Sequence, residues 1–275
     1  MNAVGVIAWQ ELKDGFRNRW VAAATALLAG LALVLSLVGT APAGGTDVDP
    51  LAVAVVSLSS LGNYLIPLIA LMLTYDAVVG EQERGTLLLL LAHPVGRGHL
   101  LAGKLLGGGA ILAIAIGVGF GLAGAAAAAG GTIPAASWGA LGRLAGSGLL
   151  LGLAFLAVGL LVSTAVRQVA TAAGVAVVVW LFLVVLYDMA ALGALAAGAG
   201  EVLPRGVVSA FLVLNPADAF RLFNLAGVEG AGALSGLAGV QETLGVPRST
   251  LLAVLAAWVV VPLAAAGWLL RRREA

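Results

Sequence analysis

Residues 144–166 read LAGSGLLLGLAFLAVGLLVSTAV, a run of 23 residues without one charged side chain. Such a run does not alternate as a half-buried strand would, and its small polar residues, Ser147, Ser163 and Thr164, mark no repeating polar face. Its length matches the roughly 20 helical residues needed to cross a hydrocarbon core about 30 Å thick. An unpaired backbone group cannot face lipid, so a helix is the conformation the run must take. Five further stretches have the same character, at 21–38, 51–75, 105–129, 169–187 and 251–270. The expected fold is therefore all-α, a single transmembrane domain over residues 1–275 with six membrane helices. Pro67, inside the second stretch, predicts a tilt or kink there.

The totals agree. Of 275 residues, 61% are hydrophobic and 10% charged, against about 25% charged in soluble domains. The net charge of +1 and the absence of a basic run longer than 271–273 give no sign of nucleic-acid binding. With no cysteine, disulfides, thiolate metal ligands and thiol catalysis are excluded. Charges from Glu11 to Arg19 precede a full-length span without a cleavage signature, so the first span is expected to stay in the mature chain.

Basic residues set the orientation. With the N-terminus inside, Lys13, Arg17, Arg19, Arg84, Arg97, Lys104, Arg167 and the arginines of 271–273 face the cytoplasm. Arg143, Arg205, Arg221 and Arg248 face outward, whereas the acidic residues divide almost evenly. The positive-inside rule then gives both termini inside, in a multi-pass membrane protein.

Three segments do not span. Residues 1–19 read as an amphipathic interfacial helix, with Val4, Ala8, Trp9, Leu12 and Phe16 on one face and Gln10, Lys13, Asp14, Arg17 and Asn18 on the other. Ile7 and Glu11 blur that division. Residues 76–104 are the one substantial cytoplasmic loop. Residues 188–250 lie outside, with an apolar piece at 207–214 too short to span. There Asn215-Pro216 signals a helix start, since Asn caps free amides and Pro suits a first turn. A short external helix over 217–225 follows, with Asp218 and Arg221 on one flank, and then a Gly-rich connection at 227–239. Such a helix either closes the outer mouth of the bundle or presents Asn215, Asp218 and Arg221 to a periplasmic partner. The second duty is the one expected here.

Several patterns imitate chemistry without its context. Gly98-x-x-x-x-Gly103-Lys104 lacks the Ser or Thr of a phosphate-binding loop and runs straight into a membrane helix. Gly119-x-Gly121-x-x-Gly124 has no strand before it, and Leu234-Ser235-Gly236 lies outside. The pairs Gly117/Gly121, Gly142/Gly146 and Gly148/Gly152 instead have the spacing that lets membrane helices approach. Tyr75-Asp76 and Tyr187-Asp188 resemble the paired aspartates of an intramembrane protease, but this topology puts them on opposite faces. His93 and His99 lack a third ligand. No catalytic residue, cofactor or metal site is expected. The span cores hold no Asp, Glu, Lys, Arg or His, so an ion-coupled carrier or channel is disfavoured and transport must draw its energy from elsewhere.

The loop itself reads Glu81-Gln-Glu83-Arg-Gly85-Thr86-Leu87-x-x-Leu90-Leu91-x-x-Pro94-Val95-x-Arg97-x-x-Leu100-x-x-Gly103-Lys104. It resembles the first cytoplasmic loop of ABC-2-type permeases, the membrane subunits of ATP-binding-cassette exporters. That resemblance implies a coupling helix that seats in a groove of a cytoplasmic ATPase, with Glu81, Glu83, Gly85, Thr86, Pro94 and Arg97 as ATPase-coupling residues. Thr86 would cap it and Gly85 would supply a turn. Most of the chain, including 11–20, 75–86 and Leu214-Asn215-Pro216-x-Asp218-x-Phe220-Arg221-Leu222, is similar to the branch that serves copper-site maturation of nitrous oxide reductase. It implies a homodimer of permeases, a NosF-like ABC ATPase dimer and a NosD-like periplasmic protein. An exporter of another substrate is the alternative. Met1, Met72 and Met189 are the only sulfur-bearing side chains, too few soft ligands for a Cu(I) path. Force transmission, or export of a sulfur species, fits better.

Overall fold

A computed structural model describes residues 3–39, 50–86, 96–129, 133–196, 205–225 and 246–272. Among them there is no strand. The helices are α1 (Ala3–Arg17), α2 (Arg19–Gly39), α3 (Pro50–Thr74), α4 (Val79–Glu83), α5 (Arg97–Ala128), α6 (Ala135–Ala165), α7 (Val169–Trp180), α8 (Tyr187–Ala196), α9 (Arg205–Leu214), α10 (Pro216–Leu225) and α11 (Arg248–Arg272). A π-helical stretch, Leu181–Leu186, joins α7 to α8. Among the described residues six helices are long and apolar enough to cross a bilayer, as expected.

Their lengths differ from the sequence reading. α5 has 32 residues and α6 has 31, each about 47 Å long at 1.5 Å per residue. Both begin well before their uncharged runs, at Arg97 and Ala135, so part of each projects beyond a hydrocarbon core. The cytoplasmic loop expected over 76–104 is correspondingly helical at both ends. Charges near a helix end mark where lipid stops, not where the helix does.

α6 is the centre of the bundle. It packs against α3, α5 and α11, and two thirds of its apolar window is buried, against about a fifth for the α7 and α11 spans. Three of its glycines, Gly148, Gly152 and Gly159, make the crossings possible, and a Cβ at Gly159 would collide with the Thr74 side chain. A Cβ at Gly152 would lie 2.8 Å from a Leu112 methyl, and one at Gly148 3.1 Å from Ile66. Gly117/Gly121 and Gly142/Gly146 meet nothing within 4 Å, so close packing inside this chain accounts for only one of the three pairs. Pro67 is accommodated within α3.

The start of α1 and the end of α11 lie at one end. Arg97, opening α5, donates to the Leu270 and Arg271 carbonyls that close α11, and α1 lies along the first turns of α5. We call this the proximal end. α10 is at the distal end, where Asn224 donates to Ser147 near the start of α6.

The face that α1 turns to the bundle is not its apolar one. Trp9 and Phe16 are exposed, and the stripe turned to the bundle is Ile7, Glu11 and Gly15. Ile7 covers Gly103, Glu11 covers Gly107, and Ile111 fills the space over Gly15. The two residues that blurred the helical wheel are the ones that make the contact.

Candidate coupling site

Two polar clusters sit at the ends of this apolar bundle. At the proximal end α3 stops at Thr74, the chain turns, and α4 begins. The amides of Val78 and Val79 donate to Ser163 Oγ of α6 at 2.9 and 3.1 Å, so a side chain from a neighbouring helix satisfies the open α4 terminus. α4 then carries Glu81 inward. Lys104 Nζ donates to Glu81 Oε1 at 2.7 Å and to Glu11 Oε1 at 2.5 Å, and Lys104 is only 4% exposed. One buried ammonium thus ties α1, α4 and α5 together. Removing it would leave two carboxylates facing each other in a poorly hydrated site, a loss of about 3–5 kcal/mol for a buried ion pair broken on one side.

Glu83 points elsewhere. Its Oε1 accepts from the Val169 amide at 2.8 Å, capping the start of α7. Gly85 takes φ +72°, the left-handed region that a side chain disfavours, so the turn expected there is present. Thr86 Oγ1 donates to the Glu81 carbonyl at 3.2 Å, and Thr86 is itself helical again after the turn, with the residues that follow it outside the described ones. Arg97 Nη1 reaches both terminal carbonyls of α11 at 2.8 Å. Pro94, His93 and the leucine run before them fall outside the described residues. The residues expected to meet a partner therefore make bonds within the chain to α5, α7 and α11.

At the distal end α10 starts as the sequence predicts. Asn215 Oδ1 accepts from the Ala217 amide at 2.9 Å, with Pro216 in the first turn. The same Asn215 donates through Nδ2 to the Leu183 carbonyl at 2.7 Å, inside the π-helical stretch. Widening the helix there changes the bonding of its carbonyls, and Asn215 serves one of them. Asp218 Oδ1 accepts from Arg221 Nη2 at 2.9 Å, and Arg221 also forms a two-pronged pair with Asp188 of α8. The polar flank expected to be exposed on α10 is thus turned inward: Asn215 and Asp218 are buried and Arg221 nearly so. Ala217, Phe220 and Leu222 are buried as well, with Phe220 beside Gly62 and Gly148. α10 is inserted into the mouth of the bundle.

Burial raises the Asp218 carboxyl from its ordinary 3.8 to about 6, with Arg221 opposing and Asp188 reinforcing the rise. Its Oδ2 is buried without a hydrogen-bond partner.

The chain's sequence has known relatives. Residues 5–275 match the model of the ABC-2 family transporter proteins. The chain belongs to that family. It is 45% identical over 277 residues to a protein of Pseudomonas aeruginosa described as a probable ABC transporter permease protein NosY, covering 99% of both chains. It is 42% identical over 276 residues to a protein of Stutzerimonas stutzeri with the same description, again covering 99% of both. The subunit is thus an ABC-2 permease closely similar to NosY.

Within this permease, sequence reasoning missed the partners of its own charged residues. Lys104 read as the marker of a span end, and Glu11 as noise on a helical wheel. Asp76 and Asp188 lie at opposite ends, as the topology expects, but the pairing of Asp188 with Arg221 was not foreseen. The only available signal was a lysine between two glycine-rich turns of a membrane helix, a place where a charge must find a counter-charge.

Proposed function

We propose that this permease couples ATP hydrolysis on a NosF-like cytoplasmic ATPase dimer to a conformational change delivered across the membrane. Its cargo or receiver is a NosD-like periplasmic protein engaged in copper-site assembly of nitrous oxide reductase. The permease acts as a homodimer in a bacterial inner membrane and carries no catalytic residue itself.

One observation carries this reading. The segment that resembles a coupling element is linked by Glu81 to Lys104 and Glu11, by Glu83 to the α7 amide, and by Arg97 to the end of α11. A push on residues 81–97 therefore acts on α1, α5, α7 and α11 together. Glu81, Glu83, Gly85, Thr86, Pro94 and Arg97 are on this reading the transmitting residues, with the leucines between Thr86 and Pro94 supplying the apolar surface for the ATPase. At the far end Asn215, Asp218 and Arg221 fix α10 against the π-helical stretch and so set the surface that the periplasmic partner meets. With no cysteine and three methionines, the chain supplies too few soft ligands for a Cu(I) path, which favours transmitted force or a sulfur species.

The test separates assembly from transmission. Glu83→Gln keeps a neutral acceptor but loses the charge that caps α7, a contact worth about 1–2 kcal/mol. The reconstituted complex should keep its ATPase stoichiometry while permease-dependent stimulation of hydrolysis falls several-fold. Arg97→Ala should behave alike. Full stimulation in both variants would remove the coupling role from this segment.

A further inference from the structure

A cavity of about 630 Å³ opens at the proximal end between α1, the last turn of α3, α4 and α5. Its size is that of pockets that hold drug-sized ligands, and of its lining the proposed coupling role uses only Glu11, Glu81 and Lys104. Its lining is two-sided. Trp20, Val21, Met72 and Ile111 form an apolar part, and Trp20 is half exposed at the start of a membrane span. The other part is charged, with Glu11, Asp14, Asp76 and Glu81 against Lys104 and Arg84.

The charges do not cancel. Lys104 is already engaged by both Glu11 and Glu81. Asp14, Asp76 and Arg84 enter no ion pair among the described residues. Four carboxylates against Lys104 and Arg84 leave two negative charges uncompensated, which asks for a cation that carries hydrogen-bond donors. A metal ion does not fit, because among the described residues no three His, Cys, Asp or Glu side chains are grouped to hold one.

We propose that this cavity binds a primary ammonium on an apolar body, and that the source is the headgroup of phosphatidylethanolamine. The ammonium supplies the donors that Asp14 and Asp76 lack, while the unpaired Arg84 takes the lipid phosphate. The apolar wall receives the glycerol and first methylenes. Depth supports a lipid. The cavity lies where an interfacial helix meets the ends of three spans, with Lys13 stacked on Trp9 and Arg272 on Trp268 at the same end, pairs suited to the headgroup layer. A quaternary choline offers the charge but no N–H, and a glycerol headgroup leaves the carboxylates uncompensated.

Native mass spectrometry of the full chain in detergent tests this. The probes are phosphatidylethanolamine, phosphatidylcholine and phosphatidylglycerol of matched chains, and hexadecylamine. Phosphatidylethanolamine should be retained about tenfold over the other two lipids, the ratio expected for one donor-to-carboxylate bond. Asp14→Asn with Asp76→Asn should abolish that preference. These two side chains make no internal ion pair, so the variant is expected to fold. Met72→Trp, which fills the apolar part, should reduce retention of every amine. Equal retention of the three lipids, or an unchanged preference in the double variant, overturns the proposal. Retention of hexadecylamine without phosphatidylethanolamine overturns the lipid source. Each result is independent of ATPase coupling, so the function proposed above stands or falls separately.

Discussion

Among the described residues Asp218 is the one carboxylate outside the spans whose acidity the fold moves far. It sits on a helix turned into the bundle, bonded to Arg221 through one oxygen and to nothing through the other. Burial lifts its pKa from 3.8 to about 6, which means that the folded chain binds a proton more tightly than the unfolded one. Between pH ~4 and ~6 the folded state holds more protons, so stability must fall as pH rises through that window and level off above it. A shift of two units corresponds to about 3 kcal/mol. Asp218→Asn keeps the shape and cannot ionise, so it should lose this slope. Thermal unfolding midpoints from pH 4 to 7 give the comparison: the wild type should decline relative to the variant up to about pH 6. Parallel curves would show that this carboxyl does not titrate in the window. The identity of Asp218 as a member of a charged cluster was legible from its spacing to Arg221. Its inward direction was not, because a three-residue spacing places two side chains on one flank without saying what that flank faces.

At the scale of elements the decisive contact is α1 on α5. A Cβ added at Gly107 would lie 2.5 Å from Glu11 Cβ and 2.9 Å from the Ala8 carbonyl, and one at Gly103 2.7 Å from Ile7. Backbone is in the way at both positions, so neither neighbour can simply rotate aside. Gly107→Val should therefore lift α1, at a cost of about 1–3 kcal/mol for an overpacked contact, and break the Glu11–Lys104 pair with it. Tryptic cleavage at Lys13 and Arg17 should accelerate in that variant. Gly121→Ala, with nothing within 4 Å, should cleave as the wild type does, and acceleration in both would deny α1 its specific seat. The sequence shows these glycines plainly, yet Gly103 appeared only as part of an incomplete phosphate loop and at the end of the cytoplasmic-loop motif. Glycine spacing shows that a helix can be approached, never by which partner. Apolar periodicity is equally mute in α1. Lipid and protein are both apolar, so Trp9 and Phe16 form a hydrophobic stripe that faces away from the bundle.

For the whole molecule, six spans and the start of α10 could be read directly, because uncharged length and an Asn-Pro pair act locally. Helix ends could not, since α5 and α6 continue past the apolar runs on propensity and on packing against α1 and α11. Which end faces the cytoplasm depends on charge alone. α1, the start of α5 and the end of α11 meet at the proximal end, and they bring Lys13, Arg17, Arg97, Lys104, Arg271 and Arg272 with them. Membrane insertion retains Lys and Arg on the cytoplasmic side, with little regard for Asp and Glu. The chain has no native cysteine, so single introduced cysteines report orientation without background. Gly45→Cys, between the first two spans, and Gly230→Cys, between the last two, should react in intact cells with a membrane-impermeant maleimide. Leu90→Cys, in the segment assigned to ATPase coupling, should react only after the membrane is opened. Labelling of position 90 from outside, with 45 and 230 protected, would invert the protein. It would put the charged helix α4 in the periplasm, where no ATPase could reach it, and the coupling reading would fall with the topology.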